Sequence, residues 1–248
     1  MSHCSKRGFR AICRVFPLLL LIAFIISEPI VAAPVPAPAN TVGYPGFDLR
    51  YGIPTGTNLA DLVEKPRLIA MEVINFQDPT SGENRLNGFG EGHGVYRVPI
   101  AAMAEVLDNY LAQKSYSPRL LDVRVDLIEG NRTIIYQDIG IVFLGLKVGY
   151  RIRSEIFRDE LSKGALGFRA RLIESPDGNL FEAFSSWYLE EVEVGGELMT
   201  YARTFTRPGL RKPFLGMAAI VKNFTPGELK ASLDITAKEA RKRLARTR

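Results

Sequence analysis

Beyond residue 33 the chain holds one histidine, His93, and no cysteine, which narrows the available chemistry at once. A Ser-His-Asp relay needs that histidine. It stands in "GEGHGVYRV", between glycines at a strand start, where a solvated strand-end role is expected. Zinc draws three or four ligands from His, Cys and carboxylates, so one histidine and no cysteine imply no metal, and no other cofactor is expected. The glycines at 88, 90, 92 and 94 resemble a phosphate-binding loop. That fingerprint follows a strand and opens a helix, whereas this run precedes a strand, so a flexible or bulged edge is expected instead. The carboxylates Asp138, Glu155, Glu190, Glu191 and Glu193 fall at turns or on polar faces. With no distance between two of them set, they form no acid–base pair, and no catalytic residue is assigned.

The remaining candidates come from strand parity. Six runs alternate with period two: Leu120–Ile128, Arg132–Phe143, Val148–Phe157, Leu166–Ile173, Phe181–Val194 and Glu197–Thr206. In Val148–Phe157 one parity carries Arg151, Arg153 and Glu155, so Val148, Tyr150, Ile152, Ser154 and Ile156 face inward. The inward sets of the next three strands are Phe168, Ala170 and Leu172; Ala183, Ser185, Trp187 and Leu189; and Met199, Tyr201, Arg203 and Phe205. Together they form an apolar, aromatic lining with a few polar atoms, the make-up of a pocket for a largely apolar ligand. The ligand-binding candidates are Tyr150, Ile152, Ser154, Phe168, Trp187, Tyr201 and Arg203. A filled core packed on a helix is the alternative. Arg203 is the odd member, because a charge on that face must find a partner or reach water. It meets a ligand carboxylate or phosphate, or Glu228 or Asp234, or the parity slips and it lies outside.

These strands need elements to hold them. Ile100, Met103, Val106, Leu107, Tyr110 and Leu111 recur at helical spacing after Pro99, a position that suits a helix start. The stretch "SYSPRLLDVRVDLIEGN" ends that helix at Ser117-Pro118 and passes directly into a strand closed by Glu129-Gly130-Asn131. Arg67–Gln77 reads as a further strand, Asp78–Gly92 as mainly loop, and Asn58–Glu64 as a short helix. At the end, Phe214, Met217, Ala218, Val221 and Phe224 form one apolar stripe. Pro226 breaks or kinks it, and Leu229, Leu233, Ala237, Ala240 and Leu244 continue a face. The order strand, helix, antiparallel meander, long helix is an α+β arrangement, and a sheet curling round a long helix leaves a hollow.

The first residues are of another kind. Lys6, Arg7, Arg10 and Arg14 precede an apolar run from Val15 to Ser27, which the small-residue string "AAPVPAPAN" follows. This is the order of a secretory signal; the run is short for a membrane span of about 20 residues, though an uncleaved anchor stands as the alternative. Residues 1–33 are therefore read as signal or anchor, 34–85 as a lead-in with a possible extra strand, and 86–248 as the main domain, exported to the periplasm or cell envelope. Without Lys6, Arg7, Arg10, Arg14 and Glu28, 32 basic and 27 acidic residues become 28 and 26, so the net charge falls from +5 to +2. Nucleic-acid binding loses its main support. Lys238, Arg241, Lys242, Arg243, Arg246 and Arg248 could meet anionic lipid head groups, or simply complement the helix dipole.

From "GVYRVPIAAMAEVLDNYLAQKSYSPRLLDVRVDLIEGN" through "FEAFSSWYLEEVEVGGELMTY" to "DITAKEARKRL", the chain resembles the START-like superfamily, also called SRPBCC, polyketide cyclase/dehydrase or helix-grip. The resemblance spans roughly residues 86 to 245 and lies in the order of elements. It implies a curved antiparallel sheet wrapped around a long C-terminal helix, with short helices near a cavity mouth. It also implies a lipid or other hydrophobic small molecule held between them, which together with the signal at the N-terminus gives an exported carrier as the leading reading. A cyclase or aromatase acting on a polyketide-like substrate, and a filled-core envelope module that docks a protein partner of unknown kind, are the alternatives.

Overall fold

The computed structural model describes residues 50–143 and 146–246, and of 141–143 and 146–148 the backbone alone. The reading of residues 1–33 as a signal lies outside the described residues.

Eight antiparallel strands form one sheet in the order β1-β2-β8-β7-β6-β5-β4-β3. They are β1 Arg67–Gln77, β2 Asn84–Tyr96, β3 Leu120–Glu129, β4 Arg132–Phe143, β5 Leu146–Ser162, β6 Ala165–Glu174, β7 Leu180–Val194 and β8 Glu197–Arg211. From β3 to β8 the chain is a meander in which each strand pairs with the next; β1 and β2 then close onto β8. Glycines in the left-handed region turn the hairpins at Gly130 (φ 59°) and Gly178 (φ 69°), where the sequence carries its turn signals. The helices are α1 Ile100–Asp108, α2 Tyr110–Gln113 and α3 Met217–Arg246. The result is a helix-grip α+β architecture.

Several boundaries differ from the sequence reading. The single helix expected after Pro99 is split at Asn109, whose backbone leaves the helical region and whose side chain accepts from the Ala112 amide to cap α2. α3 continues through Pro226, so the proline removes one backbone hydrogen bond without ending the helix. The strand expected from Gly90 begins earlier: residues 84–89, expected as loop, also belong to β2, an interior strand between β1 and β8. The alternate glycines there are no flexible edge. A Cβ on Gly90 would come within 2.7 Å of Thr225 Cγ2 and 2.8 Å of Leu229 Cδ1, so α3 lies directly on the strand. β3 is an edge strand, which leaves Leu121, Leu127 and Ile128 exposed.

The sheet is covered on both faces. α1 and α3 bury Ala102, Met103, Val106, Leu233, Ala237 and Ala240 against Tyr96, Phe168, Leu189 and Ala202. On the opposite face Tyr51, Ile53 and a 3-10 turn at Leu59–Leu62, capped by Asn58, pack on Val95, Tyr188, Val192, Met199 and Tyr201. Residues 50–64 are thus a strap across the back of the sheet, while β1, the extra strand expected in the lead-in, is part of the sheet itself.

Candidate functional site: a cavity between sheet and helix

α3 crosses β1, β2 and β8 and packs on α1, which reaches β7, so beyond Phe168 and Leu189 the helix-side face of β4 to β7 is not close-packed. A cavity of about 490 Å³ opens there. Its floor is built strand by strand from one parity: Ile135, Gln137 and Ile139 of β4; Tyr150, Ile152, Ser154 and Ile156 of β5; Phe168 and Ala170 of β6; Ala183, Ser185 and Trp187 of β7. Register explains the alignment, because Ile135 lies opposite Ser154, Ile156 opposite Ala170, and Phe168 opposite Trp187. The roof comes from Leu107, Tyr110 and Gln113 of α1 and α2 and from Met217, Ile220, Val221 and Phe224 of α3, with Phe214 just before it.

Five of the seven residues expected from parity, Tyr150, Ile152, Ser154, Phe168 and Trp187, meet in this cavity. The side chain of Val148 lies outside the described residues. Tyr201 and Arg203 lie on the other face and require correction. Arg203 ion-pairs with Glu91 through Nε and Nη2, and its Nη1 donates to Gly52 O at 2.8 Å and Tyr51 O at 3.3 Å. The side chain is 9 % exposed and Glu91 3 %. It therefore clamps the strap; Glu228 and Asp234, its expected alternatives, take Arg119 and the Tyr96 hydroxyl instead. Tyr201 bonds His93 Nδ1 at 3.1 Å. His93 is not solvated as expected but buried, and burial together with Arg203 and Arg67 lowers its pKa to about 4. Of the carboxylates expected to be solvated, Glu155 is buried, held by Arg132 and Arg171 on the outer face.

The parity of β8 is reversed because of what each face packs against. The helix-side face of β8 carries Thr200, Ala202 and Thr204, small residues that let α3 approach; the large residues Met199, Tyr201 and Phe205 fill the back. The roof and the β4 floor were missed. The alternation Ile135, Gln137, Ile139 was the available signal, but nothing in the sequence placed β4 beside β5's inward face.

The cavity is electrostatically quiet. Two charged residues line it, Arg169 and Arg171, and their guanidinium groups are engaged by Asp159 and Glu155. Tyr110 is pushed up to about 12 by burial and by Asp108, and burial, with Asp177, also raises Tyr150, so both phenols stay neutral hydrogen-bond donors. Near Tyr110, Arg158 pairs with Asp108, whose carboxyl is nevertheless raised because burial outweighs the cation. Gln113, Gln137, Ser154 and Ser185 supply the other polar atoms. Among the described residues no cluster of three His, Cys, Asp or Glu could hold a metal ion.

No family model matches the chain, and no curated protein does. Among solved structures it is similar to a STAR-related lipid transfer protein from Xanthomonas axonopodis, with 13% identity over 71% of this chain and 98% of that one, TM-score 0.49. It is also similar to the Zhui aromatase/cyclase from Streptomyces sp. R1128, with 13% identity over 71% and 96%, TM-score 0.48. Human StAR-related lipid transfer protein 5 matches with 11% identity over 71% and 86%, TM-score 0.49.

Proposed function

We propose that this chain binds and carries a neutral, largely apolar molecule, a lipid or a comparable hydrophobic compound, in the cavity between the sheet and α3. The observation that carries the reading is the lining itself. It is mostly aliphatic and aromatic, its two arginines are occupied by carboxylates, and its polar atoms are neutral phenol, amide and hydroxyl groups. Such a surface favours burial of apolar area, with a few hydrogen bonds to orient one polar end, and its volume falls within the roughly 300–1,000 Å³ of small-molecule sites. An ionic ligand would lose its hydration there without gaining a counter-charge. The basic, apolar and small-residue order of the first forty residues supports action outside the cytoplasm, in the periplasm or cell envelope.

Native mass spectrometry of the purified chain, before and after solvent extraction, tests the reading. A reproducible extra mass that extraction removes and a lipid extract restores is the expected result. A clean apo mass with no uptake from any apolar extract would sink it.

A further inference from the structure

One inward position on β4 is out of keeping with its neighbours. Ile135, Gln137 and Ile139 share the parity that floors the cavity, and the middle one carries a primary amide. Its flanks are apolar as well, since Val123 of β3 and Ile152 of β5 stand opposite it in register. Among the described residues the Gln137 side chain has no hydrogen-bond partner. A lone hydroxyl on a strand can rotate to suit its surroundings, whereas an amide brings two donors and an acceptor on one rigid plane. Left bare against an apolar ligand, such a group lowers affinity roughly tenfold or more.

Two more polar side chains share this wall. Ser154 of β5 is opposite Ile135, so it lies diagonal to Gln137, and diagonal neighbours stand about 7–8 Å apart. The residue is 6% exposed, and its hydroxyl too has no partner among the described residues. Gln113 comes from α2, which packs on β3 beside β4. Its Nε2 donates to Leu107 O at 3.3 Å. That bond fixes the orientation of the amide, because a carbonyl oxygen only accepts, and Oε1 is left as an acceptor on the cavity wall. The far side of the cavity is different. There β6 and β7 contribute Phe168, Ala170 and Trp187, and α3 contributes Val221 and Phe224. Ser185 is the exception, and it stands opposite Thr206, one adaptable hydroxyl beside another.

We propose that the wall of Gln113, Gln137 and Ser154 recognises a single hydroxyl group, and that the ligand is a long-chain or compact cyclic alcohol. The match follows from the count of donors and acceptors. A ligand hydroxyl accepts from the Gln137 amide nitrogen and donates to Gln113 Oε1, and Ser154 does either. An ester, ether or ketone leaves the Gln113 acceptor unfilled. A carboxylate brings a charge and finds both cavity arginines already engaged. A ligand that fills the cavity displaces any water from these atoms and must replace its bonds. Size narrows the class further. At the roughly 30 Å³ that one heavy atom takes in liquid water, about 490 Å³ holds on the order of sixteen heavy atoms. That is one chain or a small fused-ring system, and it excludes a two-chain phospholipid. The assignment rests on the proposed cavity reading and names the class of molecule the cavity selects.

Displacement of an apolar fluorescent probe from the full chain at neutral pH by myristyl alcohol, its methyl ether and myristate is the test. The alcohol is expected to displace the probe at about one tenth the concentration either of the others needs, the worth of one hydrogen bond to a group otherwise left bare. Gln137→Leu and Gln113→Leu are each expected to erase most of that preference while the methyl ether keeps its parent affinity, which also reports that the variant is folded. Gln113 lies on α2, outside the sheet, so its variant keeps the test open should the β4 substitution disturb the strand. A preference that survives both substitutions overturns the proposal. Probe uptake with equal displacement by alcohol and ether sinks the hydroxyl site and leaves the cavity reading standing. A chain that takes up no probe at all sinks the cavity reading, and the hydroxyl site with it.

Discussion

Replacing Arg203 with methionine separates two placements of that side chain. On the outer face it neutralises Glu91 and holds the carbonyls of Tyr51 and Gly52, so Arg203→Met strands a buried carboxylate and loosens the strap. Breaking one partner of a buried ion pair costs about 3–5 kcal/mol. At roughly 2–4 °C per kcal/mol for a domain of this size, Tm should fall by about 6–20 °C. Amide exchange should rise first across residues 50–64, the segment the arginine clamps. The cavity lies on the other side of the sheet, so probe affinity, measured well below the transition, should stay within about twofold of the parent chain. Adding Glu91→Gln removes the stranded charge and should recover a good part of the loss. Calorimetry and a probe titration on the parent chain and these two variants suffice. Unchanged stability with lost probe binding would refute the reasoning, because it would put Arg203 among the ligand contacts.

Other outcomes follow from the same packing. Ala170→Phe places a ring on the cavity floor, opposite Ile156 and Ser185, and should weaken an apolar probe tenfold or more, read by fluorescence titration. Gly90→Val drives a side chain into Thr225 and Leu229 and should destabilise by roughly 1–3 kcal/mol in urea unfolding, as overpacking does. His93 has its folded pKa lowered to about 4, below the unfolded value near 6.5. The unfolded chain therefore binds a proton first, and this contribution to stability is complete above pH 6.5 and lost as pH falls toward 4. It amounts to at most roughly 3 kcal/mol, and the difference in urea midpoint between wild type and His93→Gln should shrink or reverse across that window.

The strands of the meander, their turns, the junction at Pro118 and the helical stripe of α3 were legible because each rests on local periodicity. So was the cavity floor in β5 to β7. In β5 one parity carries Arg151, Arg153 and Glu155, so the opposite parity had to turn inward. In β2 and β8 that logic fails, because every residue from Gly90 to Tyr96 and from Met199 to Phe205 is buried. Period-two alternation tells a wet face from a dry one; it does not tell one dry face from another. There the assignment is made by what approaches: α3 comes close enough to demand glycine, alanine and threonine on its side, and the strap receives tyrosine, methionine and arginine on the other. The sequence alone determined the strands of the meander and a long helix to pack on them, and left open whether the space between is hollow or filled. Which parity of β8 served that hollow was decided only in three dimensions, because the faces compete for partners far away in the chain.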